Sequence, residues 1–156
     1  MELFSHYKPN QFKVPVFRHV KIFIKEQLDV DVSKPIVVDE HSIIGKMVLA
    51  SLRENRKERA MEFNDKYRDR IVDEITIELN SYMMHLGPRM SKLMRINIDL
   101  DMWFKQSLLT FIEAQRITGI AEYTACRNFL QHYKIEEKAY SLDAAYKFYQ
   151  RKEVFV

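Results

Sequence analysis

A long apolar repeat in the second half of the chain constrains its fold more than any other feature. After the Gly87-Pro88 break, apolar and aromatic residues recur every three or four positions, which is the spacing of one face of an α-helix. The pattern predicts a helix from about Ser91 to Arg116, allows a bend near Asp99, and makes Gly119 the C-terminal stop. The repeat consists of Leu93, Ile96, Leu100, Trp103, Phe104, Leu108, Phe111 and Ile112.

The composition also favours helices, because the 156 residues include only three glycines and four prolines. Sandwiches and barrels need many tight turns, which such a chain cannot supply easily. The hydrophobic fraction of 47% and the charged fraction of 30% are ordinary for a folded, soluble protein. The length fits a single domain over residues 1–156.

Further helices and two strands are predicted from local signals. Residues 1–14 are interpreted as an extended arm, and Pro15 suits the first position of a helix over about 15–29. Ser42 caps a second helix. The β-branched run Ile36-Val37-Val38 and the alternation between Arg70 and Leu79 predict two strands that pair.

The C-terminal part, residues 91–152, is predicted as a three-helix segment. The long helix is followed by one over about 120–134 and by a last one that Ser141 caps, with Asp143 in its first turn. The predicted fold class is therefore mainly α with a small β-sheet (α+β) of two or three strands.

No catalytic residue, metal site or cofactor is indicated. The single cysteine, Cys126, is interpreted as a small buried hydrophobe on a helix rather than a nucleophile. The three isolated glycines form no phosphate-binding loop. The histidines lack metal-ligand spacing, and each is interpreted as a surface or partly buried polar residue. They are His6, His19, His41, His85 and His132.

The one enzymatic alternative is a metal-dependent nuclease, because such enzymes use clustered acids. Four acids lie close together in the sequence: Asp69, Asp73, Glu74 and Glu78. On the predicted strand, Glu74 and Glu78 share a face with Thr76, opposite Ile75 and Ile77. We prefer to interpret that face as a solvated strand face.

A basic N-terminal segment is the first indication of nucleic-acid binding. Between Leu3 and Lys25 the chain has five positive residues and no acid, with aromatic residues interleaved. These cations could neutralise phosphates. Alternatively, the aromatics hold the arm on the core and the cations only solubilise it. The positive residues are Lys8, Lys13, Arg18, Lys21 and Lys25.

The C-terminal helices are the second indication, since two helices joined by a connection can form a helix-turn-helix. With Gly119 as the turn glycine the match is poor, because Gln115 stands where a small residue is required. The helices over 120–134 and 141–152 fit better, as a looser version. Lys147, Arg151 and Lys152 would then reach phosphates and Gln150 a base edge. The net charge of residues 119–156, only +1, argues against this interpretation.

The stretch Ala125 to Lys152, ACRNFLQHYKIEEKAYSLDAAYKFYQRK, resembles the C-terminal helices of small accessory proteins carried by phages and mobile elements. Those proteins often end in a helix, a "Tyr-x-Ile" turn with acids, and a Ser-capped helix rich in tyrosine and basic residues. The resemblance covers about a fifth of the chain. It implies a small DNA-associated or partner-binding protein without catalytic residues.

Aromatic and methionine residues exceed what the predicted core accommodates, since the chain has eight Met, ten Phe and eight Tyr. The excess predicts an exposed apolar surface for a protein partner or a second copy of the chain. Its candidate residues are Tyr82, Met83, Met84, Tyr140, Phe148, Tyr149 and Phe155.

Two functions follow, neither of them enzymatic. The first is a DNA-associated accessory or regulatory protein of a phage or mobile element. The alternative is a structural or protein-interaction subunit, such as a virion component or an inhibitor of a host protein. The chain has no run of 18 apolar residues and no secretion signal, so neither a membrane partner nor export is expected. A single cysteine suits a reducing compartment, and a cytoplasmic location is predicted.

Overall fold

A computed structural model of the chain describes residues 11–53, 70–79 and 90–152. In these ranges, helices account for 62% of the residues and the strands form one three-stranded mixed sheet, which confirms the α+β prediction. None of the helices in the described ranges combines the length and the apolar character needed to cross a membrane. The elements are β1 (Gln11–Val16), α1 (Arg18–Leu28), β2 (Ile36–Val38), α2 (Ile43–Arg53), β3 (Asp73–Leu79), α3 (Met90–Ile117), α4 (Glu122–His132) and α5 (Leu142–Lys152).

The sheet has the strand order β1-β3-β2, so the alternating strand β3 lies between the other two. β1 runs antiparallel to it, with Phe12 opposite Ile77, and β2 runs parallel to it, with Ile36 opposite Ile77. The predicted pairing of the two sequence-identified strands is therefore confirmed. The inner residues Ile75 and Ile77 are buried, whereas Glu74 on the other face is exposed.

Two predictions for the N-terminal segment are wrong. Residues 11–14 belong to strand β1 rather than to a free arm, and Pro15 lies in that strand rather than at the start of a helix. α1 begins only at Arg18. The period-two burial of β1 overrides the proline signal, and proline is tolerated there because β1 lies at one end of the strand order. Residues 1–10 of the predicted arm lie outside the described residues.

Helix ends follow the predicted capping chemistry. The hydroxyl of Ser42 accepts from the N–H of Gly45 at 3.0 Å, and that of Ser141 accepts from the N–H of Ala144 at 3.0 Å. Such caps satisfy N–H groups that have no partner within the helix. A Cβ on Gly45 would lie 2.0 Å from the carbonyl oxygen of Asp39, so the first turn of α2 requires glycine.

Gly119 ends α3 as predicted. Its φ is +86°, a left-handed conformation that glycine adopts without strain. The N–H of Gly119 donates to the carbonyl of Arg116 at 2.9 Å, and the N–H of Ile120 donates to the carbonyl of Gln115 at 3.2 Å. These two bonds are the pair that defines a Schellman motif. The chain therefore turns from α3 into α4 within four residues.

The core is organised around α3, which packs against α1, α2, α4 and β1. Its Phe104 is fully buried, with ring centroids 5.5 Å from Phe23 of α1 and 5.6 Å from Phe129 of α4. The N–H of Phe17, just before α1, donates to Oδ1 of the buried Asn97 at 3.0 Å. α3 therefore joins the sheet side of the molecule to the C-terminal helices.

Candidate nucleic-acid interface

The predicted cations of β1 and α1 meet acids that the sequence places far away. Nζ of Lys13 lies 3.7 Å from Oε1 of Glu74, and Nζ of Lys21 lies 3.0 Å from Oδ1 of Asp73. Both acids belong to β3, which the antiparallel register places beside β1. A segment that is free of acids in sequence is therefore not free of them in space.

The other two predicted cations of this region lie on α1. Nη2 of Arg18 lies 3.5 Å from Oε2 of Glu136, in the connection before α5, whereas Lys25 is exposed. Exposed ion pairs contribute little to stability, but the carboxylates offset the positive potential that phosphates would need. Three of the four described cations in this segment thus form an ion pair with an acid.

The predicted cations of α5 have a different environment. Lys147, Gln150 and Arg151 are all exposed and lie on one side of the helix. Within the described part of the chain, Lys147 and Arg151 form no ion pair. Asp143 is exposed on the same side and offsets part of their charge. The side chain of Lys152 lies outside what the structure describes.

α4 presents a second exposed row that the sequence reasoning missed. Tyr123, Arg127 and Gln131 are spaced four residues apart and exposed, with no acid among them. The guanidinium carbon of Arg127 lies 5.7 Å from the centre of the Tyr123 ring, a cation–π arrangement. The i, i+4, i+8 spacing of uncharged and basic residues was the available signal.

A tyrosine pair connects the exposed sides of α4 and α5. The rings of Tyr123 and Tyr146 meet edge to face, with centroids 5.3 Å apart. This contact joins the Arg127 row of α4 to the basic side of α5, and no acid takes part in it. We name this surface the two-helix face, and it consists of Tyr123, Arg127, Tyr146, Lys147, Gln150 and Arg151.

The turn between α3 and α4 accommodates Gln115, which stands where a helix-turn-helix normally requires a small residue. Gln115 is half-buried, and its Oε1 accepts from Nδ2 of Asn128 at 2.8 Å. This hydrogen bond between the two helices satisfies the side-chain carbonyl of Gln115, a polar group that a small residue would lack. Gln115 links α3 to α4.

The predicted exposure of Tyr149 is wrong, because this side chain is fully buried. Its hydroxyl donates to Oε1 of Glu113 at 2.8 Å and accepts from Nη1 of Arg116 at 2.6 Å. Burial, followed by the bond to Glu113, raises the pKa of Tyr149. The apolar side of α5 therefore faces α3, and Tyr149 is a core residue with a satisfied hydroxyl.

Two other aromatic residues of the predicted partner surface are half-buried rather than free. The ring of Tyr140 lies 4.8 Å from that of His19 and 5.1 Å from that of Phe104. Burial raises the pKa of Tyr140 to about 12. Phe148 lies beneath Nζ of Lys105, 5.5 Å from its ring centre. The remaining candidates, Tyr82, Met83, Met84 and Phe155, lie outside the described residues.

Exposed apolar side chains occur elsewhere, on residues that were not predicted to be a partner surface. Ile117 is 87% exposed and Met102 is 55% exposed. Both lie on the solvent side of α3, with exposed Gln106 and Thr110 between them. Apart from Tyr123, the others are dispersed over β2, the start of α2, the residue before β3 and the start of α3: Val37, Ile43, Val72 and Met90.

A buried hydrogen-bonded pair joins α1 to α3. His19 was interpreted as a surface or partly buried polar residue; it is buried, and its Nε2 lies 2.6 Å from Oδ1 of Asp101. Nζ of Lys105 lies 3.0 Å from the other carboxylate oxygen. Burial acts to raise the pKa of Asp101, but the bond from His19 and the charges of His19 and Lys105 outweigh it, and the pKa is lowered.

The acids of β3 are consistent with the preferred solvated-face interpretation. Glu74 is exposed beside Lys13, and Oε1 of Glu78 accepts from Nε2 of Gln11 at 2.7 Å. In the described ranges, no three His, Cys, Asp or Glu side chains are grouped as metal ligands would be. Asp69 lies outside these ranges.

Comparison with protein-family models, curated proteins and solved structures found no match for this chain. What the chain does is therefore inferred from its own residues and contacts.

Proposed function

We propose that this chain is a non-enzymatic, cytoplasmic accessory or regulatory protein that associates with duplex DNA through its C-terminal helices. The observation that carries the proposal is the exposed side of α5, where Lys147 and Arg151 form no ion pair in the described part of the chain. The resemblance of residues 125–152 to accessory proteins suggests that a phage or mobile element encodes it.

The spacing of these groups suits a polyanion. Lys147 and Arg151 are four residues apart, so they lie about 6 Å apart along the helix axis. Duplex DNA carries one negative charge per about 1.7 Å of its axis, and each phosphate that a cation neutralises releases counterions. Gln150 lies on the same side and is of a type that pairs with adenine edges.

The test is the salt dependence of binding to a fluorescently labelled duplex of mixed sequence, measured by anisotropy. We expect the logarithm of the affinity to fall linearly with the logarithm of the salt concentration. In the double variant Lys147→Gln/Arg151→Gln, the slope should become shallower by about two, at about 0.9 for each phosphate that is no longer neutralised. The matched control is Lys34→Gln, an exposed cation between α1 and β2, which should leave the slope unchanged. Absence of binding at low salt, or an affinity that ignores salt, would remove the proposal.

A second candidate, a structural or protein-interaction subunit, is favoured by the solvent side of α3. Met102 and Ile117 are exposed there, and the exposed positions Gln106 and Thr110 between them are uncharged, whereas the partly exposed pair Glu113 and Arg116 precedes Ile117. Such a side can pair with a second copy of itself. The mass in solution tests this. A dimer that Met102→Glu/Ile117→Glu converts to a monomer supports it, and a wild-type monomer at all concentrations rules out this self-pairing.

A further inference from the structure

We infer that α4 contacts the same duplex as α5, so that the two-helix face binds as one surface and Arg127 makes a phosphate contact of its own. This inference rests on the proposed association with DNA. It assigns a second helix, and a residue outside the predicted set, to the interface.

The continuity of the surface is the first support. Arg127 lies over the ring of Tyr123 at 5.7 Å, and that ring meets the ring of Tyr146 at 5.3 Å. Tyr146 immediately precedes Lys147 on α5. Because one aromatic contact separates the α4 row from the α5 cations, a duplex that covers α5 would lie close to Arg127.

The charge of the face is the second support. Arg127 forms no ion pair among the described residues. Glu122, the acid of α4, is held at 3.4 Å by Arg116. Among the described residues, the face holds three cations, Arg127, Lys147 and Arg151, against exposed Asp143, with exposed Glu137 at the N-terminus of α5. This balance complements a polyanion better than an acidic patch of a protein, which would have to match it at single positions.

The side-chain types are the third support. The planar guanidinium of arginine binds phosphate through two parallel hydrogen bonds. Tyrosine hydroxyls are common donors to the DNA backbone, and Tyr123 is 39% exposed. The edge-to-face contact between Tyr123 and Tyr146 joins α4 to α5, so the two helices are arranged before the ligand arrives. Such preorganisation lowers the entropic cost of binding.

The experiment compares Arg127→Gln, Arg127→Lys and the α5 double variant in the same anisotropy titrations of full-length protein. If Arg127 neutralises a phosphate, Arg127→Gln should make the salt slope shallower by about 0.9, and Arg127→Lys should restore the wild-type slope. Lys34→Gln serves as the control for loss of one exposed cation. Equal thermal unfolding midpoints show that each variant is folded.

The outcomes separate this inference from the proposed function. If the wild type does not bind duplex DNA, both the inference and the proposed function are wrong. The same holds if the chain captures a protein partner instead of DNA. If the α5 variant lowers the slope but Arg127→Gln does not, the inference is overturned and the proposed function stands. If Arg127→Lys shows the same shallower slope as Arg127→Gln, the inference is also overturned, because the loss of charge would then not be the cause.

Discussion

The positive side chains of β1 and α1 and those of the C-terminal helices lie in opposite surroundings. The cations of β1 and α1 come from an acid-free stretch of sequence, yet Lys13, Arg18 and Lys21 each lie beside an acid. The C-terminal helices come from a stretch with nearly balanced charge, yet Lys147 and Arg151 form no ion pair among the described residues. Charge counted along the chain therefore predicts neither surface.

The difference arises from the neighbours that the fold supplies. The antiparallel register sets Lys13 opposite Thr76, next to Glu74, and leaves Asp73 within reach of α1. α5, in contrast, directs its apolar side towards the core and its basic side to solvent. An ion pair thus depends on which strand or helix lies alongside, and that is a property of the topology.

The largest effect is expected where the two regions share a core. Phe104 contacts Phe23 on the sheet side and Phe129 in the C-terminal helices. Phe104→Ala should lower the free energy of unfolding by about 3–5 kcal/mol, since it removes a fully buried ring and leaves a cavity. Urea denaturation followed by circular dichroism measures it, with Thr110→Ala, an exposed position on α3, as the control. Two separate transitions in the wild type would show that the regions do not share one core.

A smaller effect is expected from the buried pair that joins α1 to α3. His19→Ala leaves the Asp101 carboxylate buried with only Lys105 beside it. Removing one partner of a buried pair costs about 3 kcal/mol, so the unfolding free energy should fall by about that amount. The matched comparison is Lys21→Gln, whose pair with Asp73 is more exposed and should contribute less than about 1 kcal/mol. Equal losses in the two variants would contradict the distinction between buried and exposed pairs.

Alkaline pH should weaken the C-terminal helices through Cys126. Burial, with a smaller contribution from the charge of Glu122, raises the pKa of this thiol to about 11. A thiol held neutral in the folded state stabilises the fold fully below its ordinary pKa near 9, and that stability is lost as the pH rises towards 11. At about 1.4 kcal/mol per unit of pKa, the loss is of the order of 2 kcal/mol. Denaturation midpoints from pH 8 to 11 measure it.

The control for this experiment is Cys126→Ala, in which the decline between pH 9 and 10 should be reduced. Tyrosines with raised pKa values contribute only at higher pH, because their ordinary pKa lies near 10. The folded protein should also react slowly with a thiol reagent, since only the thiolate attacks. Rapid modification at neutral pH would show that Cys126 is not protected.

Local signals predicted the helices and caps well, because each depends on residues close in sequence. Ser42, Ser141 and Gly119 act where expected, since a capping side chain or a left-handed glycine needs only its own turn. The register of β1, the burial of His19 against Asp101 and that of Tyr149 against Glu113 depend on partners more than 30 residues away. Arg127 is an intermediate case. Its helical spacing was visible in the sequence, but the tyrosine contact that connects it to α5 was not.

The smallest effect on stability, and a direct test of the comparison, is expected from Lys13→Gln. Its ion pair with Glu74 is long at 3.7 Å, and the two side chains are 72% and 60% exposed, so solvent screens most of the attraction and the unfolding free energy should change by less than about 0.5 kcal/mol. Because the carboxylate of Glu74 already offsets this cation, the salt slope of DNA binding should also stay the same. A slope that becomes shallower by about 0.9 would show that β1 contacts phosphate despite its acidic neighbour. Nearest-neighbour ion pairs would then no longer distinguish the two regions.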